Sequence, residues 1–363
     1  MSRSAFQKCN DIANADDASV ESMLRRIINH CKAYQSPQLF RSVSQAILSL
    51  GLYAVLVGGV LLCLDAGVFW LAAVLMVLSA GLLVKLFTIQ HDCGHGSYFK
   101  SRIANHALGF FVSILTFTPY GFWRDAHNRH HASSGRLDKR GIGAVDTLTV
   151  DEFNQLSPGK QFMYRAYRHP SVMIFLGAPF YFIVLQRFPL AGAMPFSTVY
   201  QGLKLSQVWK SVMLLNLALV LVYGVLSIFL GWKLVLGAFL PVVSMASWAG
   251  AWLFFVQHQY EDAYWARGKD WSYARAAIFG SSHYDLPQLL HWFSGNIGFH
   301  HIHHLSSLIP NYRLQECFEA SEDLKSLPRL SLPESLGCAR LALWDEDRGK
   351  MIAFKSLGRS ARV

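Results

Sequence analysis

The run VFWLAAVLMVLSAGLLVKLFTIQ fills residues 68–90 and passes without a break into HDCGH, residues 91–95. The run carries a single charged residue, Lys85. A helix needs about 20 apolar residues to cross the hydrocarbon layer of a bilayer. Val68–Gln90 therefore predicts a membrane-spanning helix, and two histidines wait at its exit. His91 and His95 are four residues apart, so on a helix they share one face.

Working outward, three more segments have the length to span: Ala46–Leu64, Val212–Leu230 and Leu234–Val256. The first two spans are joined at Asp65–Ala66–Gly67 and the last two at Gly231–Trp232–Lys233. Each pair reads as a helical hairpin with both ends on one side. Two shorter apolar stretches, Ala107–Pro119 and Val172–Leu185, read as buried, re-entrant or interfacial helices, the second interrupted by Pro179.

Composition agrees. The 363 residues are 52% hydrophobic and 15% charged, against about 25% charged in ordinary soluble domains. The formal charge is +10. The basic residues lie near the ends of the apolar runs, which fits membrane orientation and lipid head groups rather than a nucleic-acid partner. The leader, the region between the hairpins and the tail hold nearly all of them, and the positive-inside rule makes that side cytoplasmic. Six scattered cysteines form no CxxC pair, so neither a disulfide framework nor a thiolate metal site is expected. The N-terminal stretch lacks the early apolar segment of a signal peptide. An amphipathic helix is expected over Glu21–Tyr34, with Asp16, Asp17 and Ser19 available as caps. The division expected is a cytoplasmic leader 1–43, a membrane domain 44–314 and a cytoplasmic tail 315–363.

Two further histidine patches match the first. His127–Asn128–Arg129–His130–His131 follows the first short apolar stretch, and His300–His301–Ile302–His303–His304 follows the fourth span. His127, His130 and His131 have i, i+3, i+4 spacing, as do His300, His303 and His304, while His301 points elsewhere. Eight imidazoles can thus converge at one membrane face. Imidazole suits zinc, copper, iron and nickel, and one tetrahedral ion needs four ligands at most. Eight argue for a pair of transition-metal ions. A single HxxHH patch is as readily a solvated loop, but three at matched spacing, all at membrane exits, are not.

His258 ends the fourth span, and an ionisable residue there is a site candidate. His283, His291, His106, His169 and His30 lack such spacing and are expected to be structural or supporting. Lys85 is expected to snorkel to the interface. Asp92, Asp125, Glu261 and Asp262 flank ligand candidates and could orient them, or could simply be caps or exposed charges. Trp123, Trp252, Phe254, Trp265 and Trp292 read as interface anchors before tunnel lining.

Six stretches carry a family resemblance: HDCGHGSYF from His91, FWRDAHNRHHASSGRLDKRGIG from Phe122, VDTLTVDEF from Val145, VQHQYEDAYW from Val256, GSSHYDLP from Gly280 and NIGFHHIHHLSSLIPNYRL from Asn296. Together they resemble the membrane fatty acid desaturases, specifically the bacterial and plastid-like omega-6 (delta-12) group. The resemblance implies an all-α integral membrane fold, with four transmembrane helices in two hairpins under a cytoplasmic helical cap. It implies two irons held by His91, His95, His127, His130, His131, His300, His303 and His304, with His258 as the extra ligand. A shifted register would put His301 in place of a neighbour. It further implies O2 as co-substrate, an acyl-lipid substrate in the membrane and a cis double bond as product. The location implied is a bacterial inner membrane with both termini cytoplasmic.

Many relatives carry a fused haem domain with a His-Pro-Gly-Gly signature. Arg168–His169–Pro170–Ser171 does not match it, so a separate electron donor, a ferredoxin, is implied. The same metal centre could instead run hydroxylation or ketolation. GSSHYDLP and IPNYRL favour desaturation. A histidine-rich metal transporter or receptor would place its ligands inside the spans, whereas here they lie beyond the span ends.

Overall fold

The computed structural model describes residues 17–141, 145–189 and 202–359. Among the described residues, four helices are long and apolar enough to cross a membrane: α2 (Leu39–Asp65), α3 (Phe69–His95), α9 (Leu205–Leu230) and α10 (Trp232–His258). Their outward faces leave large apolar side chains uncovered, such as Val55, Trp70, Ile228 and Phe229, an apolar belt of the size that lipid would cover. The most apolar window of α3 is 61% buried and that of α9 is 11%. α3 is therefore the central helix and α9 a peripheral one.

Both histidine-bearing long helices run past the end of their apolar stretch. The apolar run of α3 stops at Gln90, yet the helix continues to His95 and is closed there by Gly96 at φ 73°. Gly96 N–H and Ser97 N–H reach back to the carbonyls of Cys93 and Asp92, and glycine takes this left-handed cap at no steric cost. α10 likewise continues to His258.

Between the second and third long helices lie α4 (Arg102–Thr116) and α5 (Tyr120–Ser133). A Cβ on Gly109 of α4 would sit 2.4 Å from the Tyr120 ring. The missing side chain lets Tyr120, the first residue of α5, place its hydroxyl on the Cys93 carbonyl of α3 at 2.9 Å. The stretch expected around Val172–Leu185 forms a π-helical segment Ser171–Gly177, helix α8 (Ala178–Ile183) and a 3-10 turn Leu185–Arg187. Pro179 opens α8 rather than interrupting it, a position where its missing N–H is not needed. After the short helix α6 (Val150–Asn154) comes α7 (Pro158–Tyr167), from which this segment is bent by 61°, and the segment exposes Phe175, Leu176 and Phe180.

Over one end of the long helices sits a layer of short elements. Helix α1 (Asp17–Cys31) covers most of the amphipathic stretch foreseen, with a 3-10 turn Lys32–Tyr34 after it. Val20, Leu24, Ile27 and Cys31 pack with Ile302, Leu314 and Cys317. Asp17 pairs with Arg275, while Asp16 lies outside the described residues. α11 (Tyr273–Phe279), α12 (Gln288–Phe293), α13 (His300–Leu305) and α14 (Asn311–Glu319) complete this layer around the histidines.

The chain is mostly helical, but the all-α expectation needs correcting. β1 (Leu148–Thr149) pairs in parallel with β4 (Leu341–Asp345), which pairs antiparallel with β5 (Lys350–Ala353). β2 (His283–Asp285) pairs in parallel with β3 (Arg329–Ser331). Strands of two to five residues carry too little alternation to be read from sequence. The boundary foreseen at residue 314 falls inside α14, and the residues beyond it supply three of the five strands among the described residues.

Candidate metal centre

Nine imidazoles meet beneath the cap, from four helices. His91 and His95 come from the last turns of α3, His127, His130 and His131 from α5, His258 from the end of α10, and His300, His303 and His304 from α13. All are buried except His95, which is partly so.

They form two groups. In the first, His91, His95, His127, His131 and His303 each offer a ligand atom within 4.8 Å of all the others. In the second, His130, His258 and His304 do the same, and His300 Nε2 joins at 3.0 Å from His258 Nε2. The helix period explains the division. Residues four apart are offset by only about 40°, and neighbours by about 100°. So the i, i+4 pairs 91/95, 127/131 and 300/304 each stay within one group, while His130 and His303 cross to the other.

The spacing of the nitrogens tests what could sit there. His131 and His127 Nε2 are 3.0 Å apart, His303 and His131 Nε2 3.1 Å, and His130 and His258 Nε2 3.1 Å. Ligands about 2.1 Å from one ion and at right angles to each other stand about 3.0 Å apart. Several other ring nitrogens, His91, His95 and His304 Nε2 among them, are buried with no partner among the described residues. Buried polar atoms are normally paired. Nine imidazoles with converging ring nitrogens therefore fit two transition-metal ions.

Burial, reinforced by neighbouring imidazoles, pushes the conjugate acids of His127, His130, His131, His300, His303 and His304 well below the usual histidine value. The rings stay neutral near pH 7, as metal ligands must be. Supporting bonds are few. His91 Nδ1 meets Asp92 Oδ1 at 3.1 Å, and Asp92 Oδ2 accepts from Asn311 N–H at 2.7 Å and Nδ2 at 2.8 Å. His258 Nδ1 lies 3.2 Å from the Gly280 carbonyl.

Several expectations change. Of the four carboxylates, only Asp92 reaches a clustered histidine. Asp125 pairs with Arg124, and Glu261 and Asp262 face Lys350, because the backbone turns away after His258. Lys85 does not snorkel: it is buried, 3.8 Å from the Trp292 ring centroid, with Nζ donating to the Trp292 carbonyl at 2.7 Å. Trp123 stacks on His127 at 4.6 Å, and Phe254 lies against His130 and His258. Trp252, on α10, donates to the Tyr284 hydroxyl, and Trp265 packs against Trp344. His301 stands outside both groups, stacked on His283 at 5.4 Å. His106 lies by Tyr120 and Arg124, His30 on the Cys317 carbonyl, and His169 receives Ser171 N–H.

Sequence reasoning passed over Arg168. Its buried guanidinium donates to Gln259 Oε1, Thr147 Oγ1 and the carbonyls of Asp146 and Leu341. It thereby ties the turn after His258 to the cap. Its partners come from residues 146, 147, 259 and 341, so no local pattern marks this arginine for burial.

Comparison with known proteins agrees with this geometry. The sequence model "Fatty acid desaturase" matches residues 68–331, which include all nine histidines. A "Fatty acid desaturase" of Bacillus subtilis is 40% identical over 80% of this chain and 79% of its own. Two Synechocystis proteins are also similar. An "sn-1 oleoyl-lipid 12-desaturase" is 26% identical over 82% of this chain and 80% of its own. An "sn-1 acyl-lipid omega-3 desaturase (ferredoxin)" is 27% identical over 78% and 76%.

Proposed function

The chain belongs to the fatty acid desaturase family and is a membrane desaturase, and from that premise we propose that it introduces a cis double bond into lipid-linked acyl chains at the omega-6 (delta-12) position, using O2 and two irons. The observation that carries this reading is the division of nine clustered imidazoles, eight of them buried, into groups of five and four. The proposed ligands are His91, His95, His127, His131 and His303 for one ion and His130, His258, His300 and His304 for the other.

Bound there, the irons would supply O2 activation, which zinc cannot do because it has no redox chemistry. The chain's own part is to fix and shield. Asp92 orients His91 through Nδ1, and the Gly280 carbonyl does so for His258. Trp123 and Phe254 hold ligand rings and exclude water from their flanks. Overall, one CH2–CH2 unit, O2, two electrons and two protons yield CH=CH and two waters. Two electrons must come from outside. The name of one relative includes ferredoxin, and we assign an acidic carrier of that kind to this chain. A cavity of about 20 Å3, lined by Lys139 and Arg140 as well as by His130 and His258, supports entry on that side.

The topology proposed is two hairpins, α2–α3 and α9–α10, in a bacterial inner membrane. The leader 1–43, the tail 315–363 and the cap over domain 44–314 are all assigned to the cytoplasm. Expression in a host without polyunsaturated lipids, followed by mass spectrometric mapping of the acyl chains, tests the reaction. A new cis diene with its added bond at the delta-12 position is the expected product. A hydroxylated chain, or a bond at the omega-3 position, would overturn the reaction or the position respectively.

A further inference from the structure

A cavity of about 460 Å3 lies among α2, α3, α12 and α14, and none of the nine histidines lines it. Its volume falls in the range of small-molecule sites, roughly 300–1,000 Å3. Arg41, Gln45, Leu48 and Ser49 line it from one face of α2, with i, i+4, i+7 and i+8 spacing. The same face continues toward the middle of the span as Leu52 and Val55, both exposed. The cavity thus opens onto an apolar stripe that lipid would cover.

The cavity holds two charges that the protein leaves uncompensated. Lys85 is only 5% exposed. Its Nζ donates to the Trp292 carbonyl and lies over the Trp292 ring, but no carboxylate comes within 4 Å among the described residues. An ammonium has three hydrogens to donate, and a buried charge without a counter-charge is costly. Ser49, on the α2 wall, is fully buried, and its hydroxyl has no partner among the described residues. At the exposed side Glu319 receives Gln315 Nε2 and meets no basic group within 4 Å among the described residues. Arg41 and Glu316, which also line the cavity, pair with each other. An unmatched cation inside and an unmatched carboxylate outside call for a ligand with the opposite order of charges. Depth agrees: Lys85 precedes His91 by six residues, about 9 Å along the helix. It therefore sits near the end of the apolar run, where lipid head groups begin.

We propose that this cavity holds the head group of one resident membrane phospholipid of the zwitterionic amine class. Its phosphate would accept from Lys85 and its ammonium would face Glu319, while its acyl chains lie along the Leu48 and Leu52 face of α2. Charge-assisted bonds to phosphate are the strong ones, so Lys85 carries most of the binding. The lipid would join α12 and α14 to the spans α2 and α3. Helix α13, with the third histidine patch, lies between α12 and α14 in the chain, so the same contacts would brace that patch. This lipid is distinct from the reacting one, whose chain has to reach the nine histidines.

The test is native mass spectrometry of the delipidated full chain, released from detergent micelles. It is titrated in turn with phosphatidylethanolamine, with phosphatidylglycerol of the same acyl chains, and with inorganic phosphate. One phosphatidylethanolamine per chain should bind, and more tightly than phosphatidylglycerol, which brings no amine to Glu319. Lys85→Met should weaken that binding by about tenfold or more, as loss of a hydrogen bond to a charged group does. Glu319→Gln, at an exposed position, should still bind lipid but lose the preference for the amine. Lys85→Met that binds phosphatidylethanolamine as tightly as the wild type would overturn the proposal. So would equal affinity of the wild type for the two lipids, or occupation by inorganic phosphate with no lipid adduct. Should Lys85→Met fail to fold, the lipid preferences of the wild type and Glu319→Gln decide the matter alone.

Discussion

Asp92 Oδ2 accepts two N–H bonds from Asn311, which holds the carboxylate so that Oδ1 faces His91. Asp92→Asn keeps the shape but removes the charge and sets an amide donor against the ring. Iron affinity of the five-histidine group should fall by about 10- to 100-fold, measured by chelator competition, with the other group retained. His301 and His304 separate ligand from neighbour. His301→Ala should keep both irons and most activity, whereas His304→Ala should lose iron and turnover. Equal loss from the two would show the register of α13 to be misassigned. Asp146 sets a pH dependence. Burial pushes the Asp146 carboxyl up to about 8, against the pull of Arg168. Folding thus takes up a proton between the ordinary value, 3.8, and about 8, so stability falls as pH rises through that window. Asp146→Asn should be the more stable protein, by a margin that widens from pH 5 to pH 9 in thermal melts. A constant margin would contradict the buried carboxyl.

Elements were legible where one physical signal dominates. The four long helices follow from apolar length, and the convergence of the histidines follows from their helical spacing. Helix ends were less so, because the apolar run reports the lipid boundary while the hydrogen-bonded helix continues beyond it. α3 gains its last turn, with His91 and His95, because nothing stops it before Gly96. The division into five and four also needed the structure, since one helix face does not reveal which neighbour each ring meets. The short strands and the buried Arg168 were invisible, being fixed by contacts distant in sequence. Those contacts make predictions of their own. Arg168→Ala should cost more than about 3 kcal/mol in denaturation of detergent-solubilised protein, since each buried polar group left unpaired costs about 1–3 kcal/mol. Gly109→Ala pushes a methyl into the Tyr120 ring and should cost about 1–3 kcal/mol, as overpacking does. It should also lower activity, because Tyr120 seats α5 against α3.

At the scale of the whole molecule, electrons have to reach histidines that are buried beneath the layer of short elements. Arg129, Arg136, Lys139 and Arg140 lie beside the second histidine box, yet this stretch is less positive than that count suggests. Arg140 pairs with Glu152 and Arg136 with Asp138, so local carboxylates offset two of its four charges. Arg129 is exposed and donates to the Gly202 carbonyl, which leaves its charge in place. Lys139 is exposed, with no carboxylate within 4 Å among the described residues, and borders the small cavity that touches His130 and His258. An acidic carrier docking here would be steered mainly by these two. Reconstituted protein should turn over with reduced ferredoxin and not with a nicotinamide cofactor and O2 alone. At limiting carrier the rate should fall as salt rises, because exposed charges are screened within about 10 Å at 0.1 M. Lys139→Glu should raise the KM for carrier several-fold and leave kcat at saturating carrier unchanged. Turnover that needs the carrier but ignores both salt and Lys139→Glu would move the docking face elsewhere on the cap. Turnover without any carrier would remove the need for a docking face at all.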